Sequence, residues 1–170
     1  MPPKIYNKVV VADANDNVIG AEFMMDAISK GMIRRAARIY VFNESGQLLL
    51  QQRSKNVLKP LLLDQSAAGH VDEGESYKQA AHRELFEELG LEGYELTEIV
   101  MSFRTTDFFN AIYKLVIPDG TPINYDPEEL EQVMWMNIEE VDSQMLENPE
   151  KFTPAFLEAW ALLREKIIST

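Results

Sequence analysis

Cysteine is absent from this sequence of 170 residues. Its absence excludes disulfides, thiolate metal ligands and a cysteine nucleophile. Long apolar runs are also missing, and none approaches the roughly 18–20 residues that a helix needs to cross a bilayer. The first residues, Met1-Pro2-Pro3-Lys4, lack the apolar stretch of a secretory signal. The sequence therefore predicts a cytoplasmic protein without a membrane segment.

Positive charge is scarce, since 16 Lys and Arg residues stand against 28 Asp and Glu residues, for a formal net charge of −12. Such a surface repels phosphate backbones, so long nucleic acid is not expected as a partner. An anionic small molecule would need a divalent cation or a local cluster of Lys and Arg to offset the repulsion. For most of the acidic residues, the simplest interpretation is solubility.

The length and the hydrophobic content of 46% predict one globular domain over 1–170, with 1–34 as an N-terminal extension packed on the core. Strand-like segments alternate with a few helices, which favours a mixed α/β sandwich. Strands are expected at 9–12, 38–43, 47–53, 64–68, 95–104, 108–117 and 133–136, and helices at 22–30, 76–89, 138–147 and 153–168.

The helix predicted at 76–89 carries three carboxylates on one face, because Glu84, Glu87 and Glu88 stand at i, i+3 and i+4. Like charges at this spacing repel one another and destabilise a helix. A divalent cation removes the repulsion, and Mg²⁺ prefers oxygen ligands while keeping waters and phosphate oxygens. The alternative interpretation, a solvated acidic face, would be preferred for three isolated glutamates.

The opposite side of the same helix presents an apolar stripe, Ala81, Leu85 and Leu89, that can pack on a sheet. Arg83 precedes Glu87 by four residues, so an ion pair can aim the carboxylates. Glycines in front of the helix permit a tight loop in which backbone carbonyls approach a metal.

The full spacing decides between the two interpretations. Gly69 is followed after five residues by Glu75, and after seven more by Arg83-Glu84-Leu85-Phe86-Glu87-Glu88-Leu89-Gly90-Leu91. This segment resembles the Nudix box at every defining position. The resemblance implies a Nudix-like α/β/α sandwich with a mixed β-sheet, in which the box supplies a loop, a helix and a loop.

The resemblance also implies roles for individual residues. Glu84, Glu87 and Glu88 are the expected catalytic residues and metal ligands, and Gly69 is expected to add a ligand from the loop. Glu75 and Arg83 are expected to orient them. The implied ion is Mg²⁺, with Mn²⁺ as the alternative, and Glu84 or Glu87 is the expected base.

Other candidate residues lie outside the box. A further carboxylate is expected from the segment around Glu129, for which a solvated acidic turn is an equal alternative. Arg53, Lys55 and Lys59 follow a strand in a place suited to binding phosphates. The implied reaction is attack of a metal-activated water on a diphosphate linkage in a nucleoside diphosphate-type small molecule. The compound itself stays open, as does whether the apolar C-terminal helix is core or a homodimer interface.

A branch within the same superfamily, the isopentenyl-diphosphate isomerases and their related hydrolases, is similar to most of the chain up to Leu91. Shared stretches include Phe42-Asn43-Glu44-Ser45-Gly46-Gln47-Leu48-Leu49-Leu50 and Asp64-Gln65-Ser66-Ala67-Ala68-Gly69-His70-Val71.

Against isomerase activity, the isomerase cysteine position is Ala68, and a histidine position is Arg34. The strand expected to carry isomerase carboxylates reads Phe108-Phe109-Asn110-Ala111. Of the residues that the isomerases use to bind metal, only His70 is present. Hydrolysis is therefore the leading expectation, with an isomerase-like enzyme or a catalytically silent nucleotide-binding module as alternatives.

Overall fold

A computed structural model describes residues 7–170 of the chain. Nine strands and four α-helices make up the fold, with a short 3₁₀ turn at Pro149–Lys151. The strands are β1 (Lys8–Ala12), β2 (Val18–Phe23), β3 (Ile33–Asn43), β4 (Leu48–Arg53), β5 (Leu63–Asp64), β6 (Ala67–His70), β7 (Thr97–Arg104), β8 (Phe108–Ile117) and β9 (Leu130–Met136). The helices are α1 (Met24–Ser29), α2 (Tyr77–Leu89), α3 (Ile138–Glu147) and α4 (Pro154–Ser169).

Strand β3 organises the sheet. It pairs in parallel with β8 along its whole length and antiparallel with β1, β4 and β6. Strand β7 extends the sheet beyond β8, while β5 and β9 both pair with β4. The predicted mixed sheet is confirmed, since parallel and antiparallel pairs meet on one central strand.

The two faces of the sheet carry separate apolar clusters, because successive side chains of a strand point to opposite sides. Helix α2 packs on one face, called here the α2 face, where Ala37, Ile39 and Val41 of β3 meet Leu85 and Leu89. The opposite face packs against α3 and α4, with buried Tyr40, Phe42, Leu48, Leu50, Ile112, Phe156 and Trp160. These two layers of helix around one sheet confirm the predicted α/β/α sandwich.

Several predicted element bounds were wrong. The helix expected at 22–30 shrinks to α1, because β2 continues through Phe23. The strand expected at 64–68 is split, because the Ser66 hydroxyl accepts from Val41 N–H at 2.8 Å and donates to Leu49 O at 2.6 Å. Ser66 thus bridges two other strands instead of extending its own.

The N-terminal part of the chain enters the main sheet, since Val11 and Ala12 pair with Arg34 and Ile33. The segment Met1-Pro2-Pro3-Lys4 lies outside the described residues. Among the helices of residues 7–170, none combines the length and apolarity required to span a bilayer.

Candidate active site

Helix α2 begins and ends with defined caps. The Ser76 hydroxyl accepts from Gln79 N–H, and the Gln79 side chain accepts from Ser76 N–H, which forms a capping box. At the other end, Gly90 adopts a left-handed φ of 68°. The caps therefore define both ends of the helix, and the packing of Leu85 and Leu89 on the sheet sets the direction of its glutamates.

Arg83 is the centre of the ionic network in front of α2. Its guanidinium donates to both carboxylate oxygens of Glu75, at 2.6 and 2.9 Å. It also donates to Glu84 at 2.7 Å, to His70 O at 3.0 Å and, more weakly, to Glu87 at 3.4 Å. The loop and the helix are thus tied together by one side chain, with two-pronged recognition of Glu75.

Glu84 is buried against β6. The chain approaches so closely that a Cβ placed on Gly69 would lie 2.0 Å from Glu84 Oε1. No side chain fits in that space, so glycine at 69 is a steric requirement for this carboxylate position. The structure therefore brings two predicted site residues, Gly69 and Glu84, which are 15 residues apart in the sequence, into direct contact.

Glu88 is also buried, and two donors hold it. Gln51 Nε2 donates to Glu88 Oε2 at 2.5 Å, and Ala68 N–H donates to Oε1 at 3.2 Å. Gln51 Nε2 also donates to Ser66 O at 3.1 Å. Sequence reasoning missed Gln51; the available signal was a polar residue that faces α2 in the alternation of a buried strand.

The pKa values in this network follow from burial and charge. Burial acts to raise the pKa of Glu75, but hydrogen bonds from Arg83 and from Asp72 N–H bring it below its ordinary value. Burial raises the pKa of Asp72, although Arg83 and Asn7 act in the opposite direction. Burial acts to lower the pKa of Arg83, but the carboxylates of Glu75 and Glu84 raise it overall. Arg83 is therefore a permanent cation, and Asp72 is a member of the network that the sequence did not reveal.

Glu129 lies in the turn before β9, next to the end of α2. Asp126 N–H donates to Glu88 O at 3.2 Å, and Ser54 N–H donates to Glu129 O at 2.9 Å. The backbone of the Glu129 turn is thus bonded both to the glutamate helix and to the loop that begins after Arg53.

Of the three predicted phosphate-binding residues, Arg53 ends β4, and Lys55 and Lys59 lie in the 54–62 loop that follows. Arg53 donates to Leu58 O at 2.8 Å and lies 3.8 Å from the Asp64 carboxylate. Lys55 and Lys59 are exposed, and Lys59 has a positive φ of 53°. The contacts of Arg53 are thus with its own loop and with Asp64, while both lysines extend into solvent.

Within residues 7–170, no three acidic or histidine side chains are arranged so that they could enclose a metal ion by themselves. Arg83 instead lies among the carboxylates and offsets their charge. The oxygen-rich part of the site consists of Glu84 and Glu88, both buried, and Glu87, whose side chain is 13% exposed.

Comparison with known proteins shows the family of the chain. A NUDIX domain matches residues 32–156, so the chain belongs to the NUDIX family. An uncharacterised Nudix hydrolase of Yersinia pestis is 30% identical and covers 95% of this chain and 87% of its own length. The expected class, an enzyme acting on phosphoric anhydrides, is confirmed at the level of the family.

Other relatives carry a different name. Isopentenyl-diphosphate Delta-isomerases of Pectobacterium atrosepticum and Serratia proteamaculans are 32% and 34% identical, and each match covers 88% of this chain and 87% of the relative. Among solved structures, a protein of Deinococcus radiodurans superposes with a TM-score of 0.79 at 25% identity, over 93% of this chain and 98% of that one. The predicted similarity to both branches of the superfamily is therefore confirmed.

Proposed function

We propose that the protein is a Mg²⁺-dependent hydrolase that cleaves a diphosphate linkage in a nucleoside diphosphate-type small molecule. The observation that carries the proposal is the buried carboxylate pair Glu84 and Glu88, held on one helix face beside a glycine that leaves room for no side chain. Two carboxylates on one helix face repel each other, and a divalent cation between them would offset the part of this repulsion that Arg83 leaves.

The donor set fits a hard divalent ion. Mg²⁺ keeps several waters and uses one or two protein carboxylates together with substrate phosphates, so a closed cage of three side chains is not required. Gln51 adds a buried oxygen, Oε1, which has no hydrogen-bond partner in the described part of the chain. Glu84, Glu87 and Glu88 would hold the ion, with Glu129 as a further ligand from the adjacent turn; one or two of these carboxylates would bind it directly and the others through its waters.

The backbone of β6 supports a specific oxygen donor. Because Ala68 N–H points to Glu88, Ala68 belongs to a non-hydrogen-bonded pair of the β3–β6 ladder, and its carbonyl also faces away from β3. Gly69 belongs to the alternate pair, whose backbone groups bond to Ala37. We therefore assign the backbone ligand to Ala68, while Gly69 contributes the space that Glu84 occupies.

The proposed chemistry divides among these side chains. When bound, Mg²⁺ lowers the pKa of a coordinated water and offsets charge on the leaving phosphate. Glu87, the most exposed of the three glutamates, would accept a proton from the attacking water. The water oxygen would bond to phosphorus as the bridging P–O bond breaks, and the bridging oxygen would leave with the electron pair of that bond. Arg83 and Gln51 keep Glu84 and Glu88 in place, so the site is preorganised before substrate arrives.

Isomerisation of an allylic diphosphate is the second candidate, favoured by the two relatives that bear that name. That reaction needs a proton donor and a proton acceptor on either side of an alkene. Beside His70, the chain presents the methyl group of Ala68, which exchanges no proton, and the facing strand presents Phe108 and Asn110, which are not acids. These residues support hydrolysis over isomerisation.

The deciding experiment is a screen of the purified protein with Mg²⁺ and Mn²⁺ against nucleotides, nucleotide sugars and dinucleoside polyphosphates, with phosphate release as the readout. We expect turnover that EDTA abolishes and that falls at least roughly 100-fold in Glu87→Gln and Glu88→Gln. Glu92→Gln and Glu95→Gln, exposed carboxylates just beyond the helix, are the matched controls and should stay near wild type.

Two outcomes would contradict the proposal. A double-bond shift in isopentenyl diphosphate, followed by NMR, would establish the isomerase instead. Calorimetric binding of nucleotides without any product over hours would establish a silent binding module.

A further inference from the structure

The face of the sheet opposite α2 carries two buried arginines where an apolar core is expected. Arg34 and Arg38 are 6% and 4% exposed, and they lie on the same face of β3 as Tyr40 and Phe42, which belong to the apolar core there. In the described residues neither arginine has an Asp or Glu carboxylate within 4.0 Å, and Asp107 acts on Arg34 only through its charge. Arg35, on the α2 face, by contrast pairs with Asp16 at 2.7 Å.

The hydrogen bonds of the two guanidinium groups are with neutral side chains. Arg38 Nε donates to Asn110 Oδ1 at 2.6 Å, and its NH1 reaches Gln65 Oε1 at 3.4 Å. Arg34 NH1 lies 3.3 Å from His70 Nε2, which accepts because a guanidinium has only donors. Arg34 Nε is buried with no hydrogen-bond partner in the part of the chain described.

Both cations lie on one aromatic ring, with the guanidinium carbons of Arg34 and Arg38 4.4 and 5.4 Å from the centroid of Phe108. Two like charges near one ring repel each other, and burial strengthens the repulsion. Cation–π contact and neutral amides offset only part of this cost. An anion with several oxygens would accept from Arg34 Nε, which has no partner in the described residues, and would offset the charge of both guanidiniums.

The surroundings leave an approach to the pair. Ala36 lies between the two arginines on β3, and Ala68 of β6 is the register partner of Arg38. The side chains at these two positions next to the arginines are therefore methyl groups. His70, Phe108 and Ala68 are only half-buried, so solvent lies beside the two arginines at this part of the surface. An oxyanion would approach the guanidinium groups from this side.

The arginine pair and the glutamate site lie on opposite faces of the sheet beside the same edge strand, β6. In the described sheet β6 pairs only with β3. Gly69 contacts Glu84 on the α2 face, while the neighbouring Ala68 and His70 side chains lie on the opposite face, and adjacent Cα atoms are about 3.8 Å apart. The edge of β6 is short, and its Ala68 N–H and His70 O are bonded to the site residues Glu88 and Arg83. A molecule bound at Glu84 would extend around this edge to reach the arginines.

From this arrangement we propose that Arg34 and Arg38 bind a phosphate or carboxylate group that the substrate carries in addition to the diphosphate that is cleaved. The assignment of this anion to the substrate rests on the proposed hydrolase function. The site would select compounds with a second anionic group over otherwise identical compounds that lack it.

The direct test uses the wild-type protein with EDTA, so that no metal binds phosphate. The Nε–Hε NMR signals of Arg34 and Arg38 are followed while inorganic phosphate or, separately, acetate is added. We expect saturable shifts at both arginines, while the ion-paired Arg35 signal stays in place. The anion that shifts them at lower concentration identifies the phosphate or carboxylate chemistry. Absence of saturable shifts with either anion at millimolar concentrations would overturn the site.

The second test compares two diphosphates that differ by one phosphate group. In Arg34→Met the preference in kcat/KM for the compound with the extra phosphate should fall roughly 10- to 100-fold, as for a lost charged hydrogen bond. Arg104→Met, an exposed arginine on β7, removes the same charge and should leave the preference unchanged. An unchanged preference in Arg34→Met would exclude the substrate role. Phosphate shifts without turnover of any compound would refute the hydrolase and keep the anion site.

Discussion

The Glu84 carboxylate fills the space that a side chain at Gly69 would need, because a Cβ on Gly69 would lie 2.0 Å from Glu84 Oε1 and 2.1 Å from Glu84 Cδ. The contact joins an edge strand to the middle of α2. It makes the position of one carboxylate depend on the absence of a single methyl group, and the first prediction follows from it.

Gly69→Ala should displace the Glu84 carboxylate without unfolding the protein. We expect kcat to fall roughly 100-fold, the effect of misplacing a catalytic group by about 1 Å. Thermal unfolding and steady-state kinetics measure the two effects. Gly93→Ala is the control, because no atom lies within 4 Å of a Cβ at this position, although its φ of 77° costs about 1–2 kcal/mol of backbone strain. Equal kinetic losses in both variants would contradict the steric argument.

Gln51→Leu should lower both stability and activity. The substitution leaves Glu88 Oε2 and Ser66 O without the donor they share, at a cost of about 1–3 kcal/mol for each buried group. Because Glu88 loses its orientation, a higher Mg²⁺ concentration should be needed for half-maximal turnover. Gln52→Leu, on the other side of the same strand, is the control. A magnesium requirement equal to wild type would show that Gln51 is only structural.

Arg83 and Glu75 should behave as one unit. Arg83→Lys removes the two-pronged bond to Glu75, and we expect a loss of about 1–3 kcal/mol in unfolding free energy together with a lower kcat. In a double-mutant cycle with Glu75→Gln, the coupling energy measured by denaturant unfolding should be about 0.5–3 kcal/mol. Additive effects of the two changes would mean that the bond is absent in solution.

Asp142 should give the protein an acid-sensitive contribution to stability at a distance from the active site. Hydrogen bonds from Arg164, with help from Trp160, hold the pKa of Asp142 below its ordinary 3.8. A lowered folded-state pKa contributes stability above pH 3.8 and loses it as the pH falls through the folded value.

Asp142→Asn should therefore be less stable than wild type at neutral pH, by at most about 1 kcal/mol because both partners are about a third exposed to solvent. The difference should close below pH 3.8. Urea unfolding at several pH values measures it, and Glu147→Gln, an exposed carboxylate at the end of α3, controls for the charge change. A stability difference between the two proteins that widens in acid would contradict the lowered pKa of Asp142.

Local regularity explains which elements could be predicted. Helix α2 was predicted within one residue because its caps, Ser76 and Gly90, are read from neighbouring residues. The break between β5 and β6 was not, because Ser66 bonds to Val41 and Leu49, which lie 25 and 17 residues away in the chain. Bounds set by local chemistry were therefore accessible, and those set by distant partners were not.

The sequence alone determined the family, the sandwich class and the three glutamates of one helix face, since each depends on spacing within a short segment. The tertiary structure decided the rest. It brought Gln51 to Glu88, laid Gly69 against Glu84, and placed Arg34 and Arg38 on the ring of Phe108. These contacts join strands and helices far apart in the chain, and only the packing of the sheet fixes which side chains meet across it.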